Sequence, residues 1–204
     1  MHLPSGEVIR GVADAMPSPE PVLETARLIL RPPRGEDFEA WAAAAQDEEV
    51  MLHLGGVKSR FEAWNHFLAA VGAWHVLGFH AFSVIEKSSG RWVGRTGPLH
   101  PEGWPGDEIG WTFAREAWGK GYATEAAAAA IDWAFEVLGW THIIHCIAPD
   151  NTASQAVARR LCSTLQGPGK LPGPHENDSI EIWGQTRAQW FSRRTDRSAA
   201  MPSK

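Results

Sequence analysis

Glu108-Ile-Gly-Trp-Thr-Phe-Ala-Arg-Glu-Ala-Trp-Gly-Lys-Gly-Tyr-Ala-Thr-Glu125 is the stretch on which the rest of the chain is organised. Asp107 to Phe113 reads as a strand, and residues 114–121 read as a turn. Tyr122 to Leu138 follow as an Ala-rich helix. Its stripe is Ile131, Ala134, Phe135 and Leu138, and Gly139 closes it. The first N–H groups of a helix lack internal partners and carry partial positive charge. Such an end accepts a phosphate without many basic side chains. Gly119 and Gly121 allow close backbone approach and positive φ, and Lys120 adds a cation. The residues themselves leave two readings open, an ordinary strand-to-helix turn and an anion site. The P-loop pattern fails because Gly121 follows Lys120, and G-x-G-x-x-G fails at Thr124.

Upstream, Thr25 to Arg31 alternates and stops at Pro32-Pro33, which marks a strand. Gly35-Glu36-Asp37 opens a helix, with acids where the dipole favours them. Arg60 to Leu77 carries Phe61, Trp64, Leu68 and Val71 at helical spacing and ends at Gly78. His80 to Glu86 and Arg91 to Thr96 flank Lys87-Ser88-Ser89-Gly90 as a hairpin. Pro98 to Gly106 is a loop. Downstream, His142 to Ala148 is a strand and Thr152 to Leu161 a short helix. Gly167 to Pro174 reads as a loop, and Ser179 to Gly184 as the last strand. The order specifies a mixed α/β sheet flanked by helices.

The 204 residues suit one domain over 24–192, with a flexible N-terminal extension (1–23) and a flexible C-terminal tail (193–204). A net charge of −5 gives no basic field for direct nucleic-acid binding. No apolar run reaches the roughly 20 residues that span a bilayer. Met1 to Val22 lacks the apolar core of a secretory signal. Cys146 and Cys162 are too few for a disulfide framework. A cytoplasmic protein with no membrane partner is expected. His142, His145 and Cys146 cluster in sequence, but a strand turns the two histidines to opposite faces, so no metal is expected. Cys146 reads as packing, with no base beside it to make it a nucleophile. The eleven tryptophans fill a core or line a pocket.

Glu116 to Gly121 resembles the pyrophosphate-binding loop of the GNAT superfamily of N-acetyltransferases. Trp118-Gly-Lys-Gly-Tyr-Ala-Thr-Glu-Ala126 resembles the branch that includes the ribosomal-protein N-terminal acetyltransferases. The likeness continues through Glu24 to Arg31, Asp132-Trp-Ala-Phe135 and Pro149-Asp-Asn-Thr-Ala-Ser154, and covers about residues 24–191. It implies a mixed, mostly antiparallel sheet whose central parallel strands splay apart. It also implies acetyl-CoA as co-substrate, lying in that V. Its pyrophosphate would rest on the amides of Trp118, Gly119, Lys120, Gly121, Tyr122 and Ala123, with Phe113, Ala114, Thr124 and Asn151 completing the cofactor set.

In the mechanism the resemblance implies, Glu108 is the general base, against the alternative of a solvated strand-edge acid. Backbone N–H groups near Phe113 receive the thioester oxygen. Many members donate a proton from a Tyr seven residues after the Asn, but here that position is Ala158. In the branch resembled, the role falls to Ser154, whose other reading is a helix-cap hydroxyl. Two departures stand out: Glu116 where Gln or Arg is usual, and Cys162-Ser163 in place of Gly-Phe. Trp74, Trp104 and Trp111 wall the acceptor site or pack the core. The acceptor is an amine, either a protein N-terminus or a small molecule, and the enzyme a monomer or homodimer. The other reading is a non-catalytic acyl-CoA-binding module.

Overall fold

The computed structural model describes residues 20–199. Most of the expected N-terminal extension lies outside that range, and so do residues 200–204. The chain begins with β1 (Leu23–Glu24) and β2 (Leu28–Arg31). A 3-10 turn, Gly35–Asp37, leads into α1 (Phe38–Ala45), α2 (Glu48–Met51) and α3 (Arg60–Leu77). Next come β3 (Phe82–Glu86), β4 (Trp92–Leu99) and β5 (Glu108–Phe113). A second 3-10 turn, Arg115–Ala117, precedes α4 (Tyr122–Glu136). The remainder is β6 (His142–Ile147), α5 (Thr152–Arg160), β7 (Thr164–Gly169), β8 (Ile180–Thr186) and α6 (Arg187–Ala199).

One 8-stranded sheet runs in the order β1-β2-β3-β4-β5-β6-β8-β7. Every pairing is antiparallel except β5 with β6. That parallel pair holds a single register match, Glu108 with Ile144. Beyond it the strands diverge, so the sheet opens into a V at its centre.

Helix α4 covers one face of the sheet. Its Ala126, Ala127, Ala130 and Ala134 are fully buried, and these small side chains bring the helix axis close to β4 and β5. Two N-terminal ties fix its start. Arg27 pairs with Glu125 (2.6 Å), and the Thr25 hydroxyl donates to the same carboxylate (2.6 Å). The opposite face carries α1 and α3, whose Phe38, Trp41 and Phe67 pack on Trp92. At the start of α1 the buried Arg31 forms a bidentate pair with Asp37 (both 2.8 Å). The residues that mark α3 by their spacing lie on its outer side, and Phe61 is 73% exposed. Its buried side is Ala63, Phe67 and Ala70. The helix is apolar on both sides, so spacing identifies it without telling which side faces inward.

The short β1 and α2 were not foreseen, β4 runs on through Leu99 into the expected Pro98–Gly106 loop, and two larger elements depart from the sequence reading. Part of the expected Gly167–Pro174 loop is the second half of β7, an exposed edge strand. Edge strands tolerate glycine and proline, and Pro168 pairs there with Glu181. The expected tail from 193 is also part of a helix, because α6 runs to Ala199. Trp190 anchors it, 8% exposed, donating its indole N–H to Asp132 (2.7 Å). The other residues of that segment are mostly polar, which hid the helix.

The Cys162-Ser163 departure has a backbone cost. The Ser163 N–H bonds to Ala158 O and the Cys162 N–H to Arg159 O (both 2.9 Å), a Schellman end to α5. That motif needs a left-handed residue, and Cys162 has φ 66, the only non-glycine residue at positive φ among those described. Glycine adopts this conformation without steric penalty. Cys162→Gly is therefore expected to stabilise the fold by about 1 kcal/mol, raising Tm by ~2–4 °C in a calorimetric scan.

Candidate active site

The turn after β5 is held open by polar ties on its flanks. Arg115 grips Asp47 and Glu49 at the start of α2 (2.6 Å to each), and Glu116 meets Arg91 (3.1 Å). The Trp118 indole donates back to Phe113 O (2.8 Å). Gly119 and Gly121 have φ 73 and 79. Gly121 is the N-cap of α4 and supplies no side-chain cap. The first intrahelical bond is made by Glu125 N–H to Gly121 O (3.1 Å). The N–H groups of Tyr122, Ala123 and Thr124 precede it and point out of the helix end. A Cβ placed on Gly119 would meet nothing within 4 Å, and on Gly121 only the Arg27 guanidinium at 3.5 Å. Lys120 and Arg27 both lie over the Tyr122 ring (5.8 and 4.6 Å), so two cations flank this open helix end. Such a helix end can accept an anion.

From that loop the V runs inward. The Ala114 N–H bonds to Val93 O (3.0 Å), and its carbonyl accepts from Ala117 N–H (2.9 Å). Ala114 therefore shapes the turn, with its N–H spent within the protein and one lone pair of its carbonyl occupied. Strand alternation turns the Phe113 N–H away from β4, towards the V. Deeper in, side chains replace the missing ladder. Glu108 accepts from Cys146 N–H (3.0 Å), and His145 bonds Ile109 O (2.7 Å). Across the V, the Trp111 indole donates to Ser154 Oγ (3.2 Å). Asn151 caps α5 by accepting from Ser154 N–H (3.0 Å). With its oxygen already accepting, the Ser154 hydroxyl retains a proton to donate.

Glu108 sits 6% exposed, and it accepts a second bond from the Trp104 indole (2.5 Å). Burial pushes its pKa above the ordinary carboxylate value, against the pull of these two donors. It is thus no solvated edge acid, the alternative its sequence position allowed. It lines a cavity of about 290 Å³ together with Arg95, Trp104, Trp111 and Ser154. Trp74 lies on the other face, packed on Phe82 and Trp133 (4.8 and 5.9 Å), and belongs to the core. Burial and the neighbouring Glu108 raise the Cys146 thiol, which keeps it protonated at neutral pH. His142 faces Gln166 (2.8 Å) on the outside while His145 is buried, as strand alternation requires. Among the described residues no three His, Cys, Asp or Glu side chains gather as a metal ion needs.

Sequence reasoning missed the buried chain behind the V. Gln185 Nε2 donates to Ser163 Oγ, and Ser163 bonds His145 Nε2 (both 2.9 Å). Since Ile109 O can only accept, Nδ1 carries the proton and Nε2 accepts from Ser163. Ser163, the second departure from Gly-Phe, therefore fixes the histidine that props β5. Its signal in the sequence was only the odd dipeptide itself.

Residues 27–161 match the model of the acetyltransferase (GNAT) domain family. FsC-acetyl coenzyme A-N(2)-transacetylase of Aspergillus fumigatus is 33% identical over 185 residues, 84% of this chain and 79% of that one. The acetyltransferase from Agrobacterium tumefaciens superposes with a TM-score of 0.73 at 30% identity, covering 85% of this chain and 99% of its own. Mycobacterium smegmatis RimJ, solved in complex with CoA-disulfide, shares the fold with a TM-score of 0.63 at 22% identity, over 79% of this chain and 83% of that one. No helix among the described residues is long and apolar enough to cross a membrane.

Burial lowers the His145 pKa to about 4. Unfolded, it titrates near ~6.5. As pH falls from 6.5 towards 4, the unfolded chain takes up a proton that the folded chain refuses, so stability falls with it. His80, also held near 4 by burial, adds to the same window. In thermal melts across that range, His145→Gln is expected to lower Tm at neutral pH and to flatten the acid slope by about half.

Proposed function

Given that this chain belongs to the GNAT acetyltransferase family, we propose that it moves an acetyl group from acetyl-CoA to a primary amine in a direct ternary complex. The observation that carries this reading is the continuity of the V: an anion-accepting helix end at its mouth, and Glu108 and Ser154 lining one cavity within it. The amides of residues 119–123 would hold the pyrophosphate, the Trp118 N–H being spent on Arg115 O (3.0 Å), while Thr124 N–H and the two flanking cations add to the site. Asn151 would hold the pantetheine arm near the start of α5. Bound acetyl-CoA supplies the activated thioester.

Glu108 takes the proton from the incoming ammonium, directly or through a water. Its raised pKa makes it a stronger base than an ordinary carboxylate. The Phe113 N–H faces the thioester oxygen. The Ser154 hydroxyl, oriented by Trp111, gives a proton to the departing sulfur. The acceptor is a protein N-terminus or a small amine. Neighbours named as ribosomal-protein acetyltransferases, at 20–22% identity, speak for the fold and leave that choice open. A cytoplasmic protein acting as a monomer or homodimer fits this reading.

Gly121→Val places a branched side chain in the left-handed conformation and into the anion site. Titration calorimetry should find acetyl-CoA affinity lowered at least tenfold with the fold intact; unchanged affinity would remove the pyrophosphate assignment. Glu108→Gln should lower kcat about 10²-fold and erase the rise of rate through an elevated carboxylate pKa, and Ser154→Ala should lower kcat about tenfold. Both variants should keep the acetyl-CoA Kd.

A further inference from the structure

Arg95 projects from β4 on the face that carries Glu108. In the β4–β5 register Leu99 is the partner of Glu108, and Arg95 is the partner of Thr112. The two charged residues are thus separated by about 13 Å along the strand. Both line the same cavity. Arg95 is half-buried, and its guanidinium lies 4.3 Å from the centroid of the Trp41 ring. That stacking fixes the plane of the fork and leaves its N–H edge for another group. Among the described residues no carboxylate pairs with its guanidinium, which rests on the Trp41 ring alone. Burial, with no acid to oppose it, lowers its pKa to about 10, so it stays charged.

The neighbours do not neutralise it. His66 and His80 both have lowered pKa values, from burial first and the charge of Arg95 second, so both are uncharged at neutral pH. Lys58, also lining the cavity, donates to Gly55 O (2.7 Å) and adds a second cation on this side. A half-buried cation without a partner is unfavourable in a protein by itself, and a fixed guanidinium fork matches a carboxylate. The pyrophosphate loop does not account for Arg95, since it lies at the N-terminus of α4.

We infer that the acceptor is an amine bearing a carboxylate at its far end, with the amine at Glu108 and the carboxylate on Arg95. The inference rests on the transfer reading above and names the acceptor class for the same site. The spacing favours an acceptor longer than one amino acid's α-amine and α-carboxylate, which share a single carbon. It fits an extended ω-amino acid, or a peptide N-terminus followed by an acidic side chain.

Matched acceptors test this: the ω-amino acids from 4-aminobutyrate to 8-aminooctanoate against alkylamines of equal length, and short peptides with Glu or Gln as second residue. Steady-state kinetics at saturating acetyl-CoA should give the carboxylated member of a set at least a tenfold higher kcat/KM, equivalent to about 1.4 kcal/mol. Arg95→Met should collapse that ratio towards one through KM, and Arg95→Lys should retain part of it. Acetyl-CoA affinity, measured alongside, reports whether each variant keeps its fold. Equal use of both members by the unaltered enzyme would overturn the inference and leave acetyl transfer standing. A ratio that survives Arg95→Met, or a variant that alters acetyl-CoA affinity and not the ratio, would also overturn it. Acetylation of no amine in either set would sink the transfer reading, and this inference with it.

Discussion

The hydrogen bond from His145 Nδ1 to Ile109 O stands where a backbone N–H of β6 would stand in a regular parallel pair. A sheet that parts its strands orphans a row of backbone groups, and orphaned buried groups cost stability. This chain answers with side chains: His145 to the carbonyl of Ile109, Glu108 to the N–H of Cys146, and Trp111 to Ser154 across the gap. The chain Gln185–Ser163–His145 then locks the imidazole tautomer from behind. The cavity, the elevated pKa of Glu108 and the reach of Ser154 all follow from the gap that these bonds keep open.

Much of this was legible in the residues. The Ala-rich run of α4 and the glycines ahead of it announce a strand, a turn and a bare helix end. The α3 boundaries, Arg60 to Leu77 with Gly78 beyond, are also as the spacing predicts. Ser59 and Glu62 form a capping box at one end, and Gly78 takes φ 76 at the other. Such signals are local, so they survive without tertiary information. β7 and α6 were not legible, because an edge strand and a mostly polar terminal helix are settled by what they lie against. The side of α3 that faces inward belongs with them.

At the site, the family resemblance named Glu108 and Ser154 as candidates, but neither their burial nor their partners. Trp104 illustrates the limit. It stands in a Pro/Gly-rich loop, where nothing in the spacing tells that its indole will reach a carboxylate only four residues on. Arg95 is similar: the sequence marks it only as one residue of a hairpin strand, and nothing there tells that Trp41 from a distant helix will lie against its guanidinium. The Cys162-Ser163 departure was visible but not interpretable. The structure splits it into a strained backbone position and a buried hydroxyl with two partners.

The single register match between β5 and β6 bears on how the molecule avoids sticking to others of its kind. An unpaired strand edge on a protein surface recruits foreign strands and seeds aggregates. Here the unpaired edges face each other in the interior. Trp111 with Ser154 bridges the gap between the strands. The groups freed by the parting strands are met from within by Glu108 and His145, so the opening offers a foreign strand no free ladder.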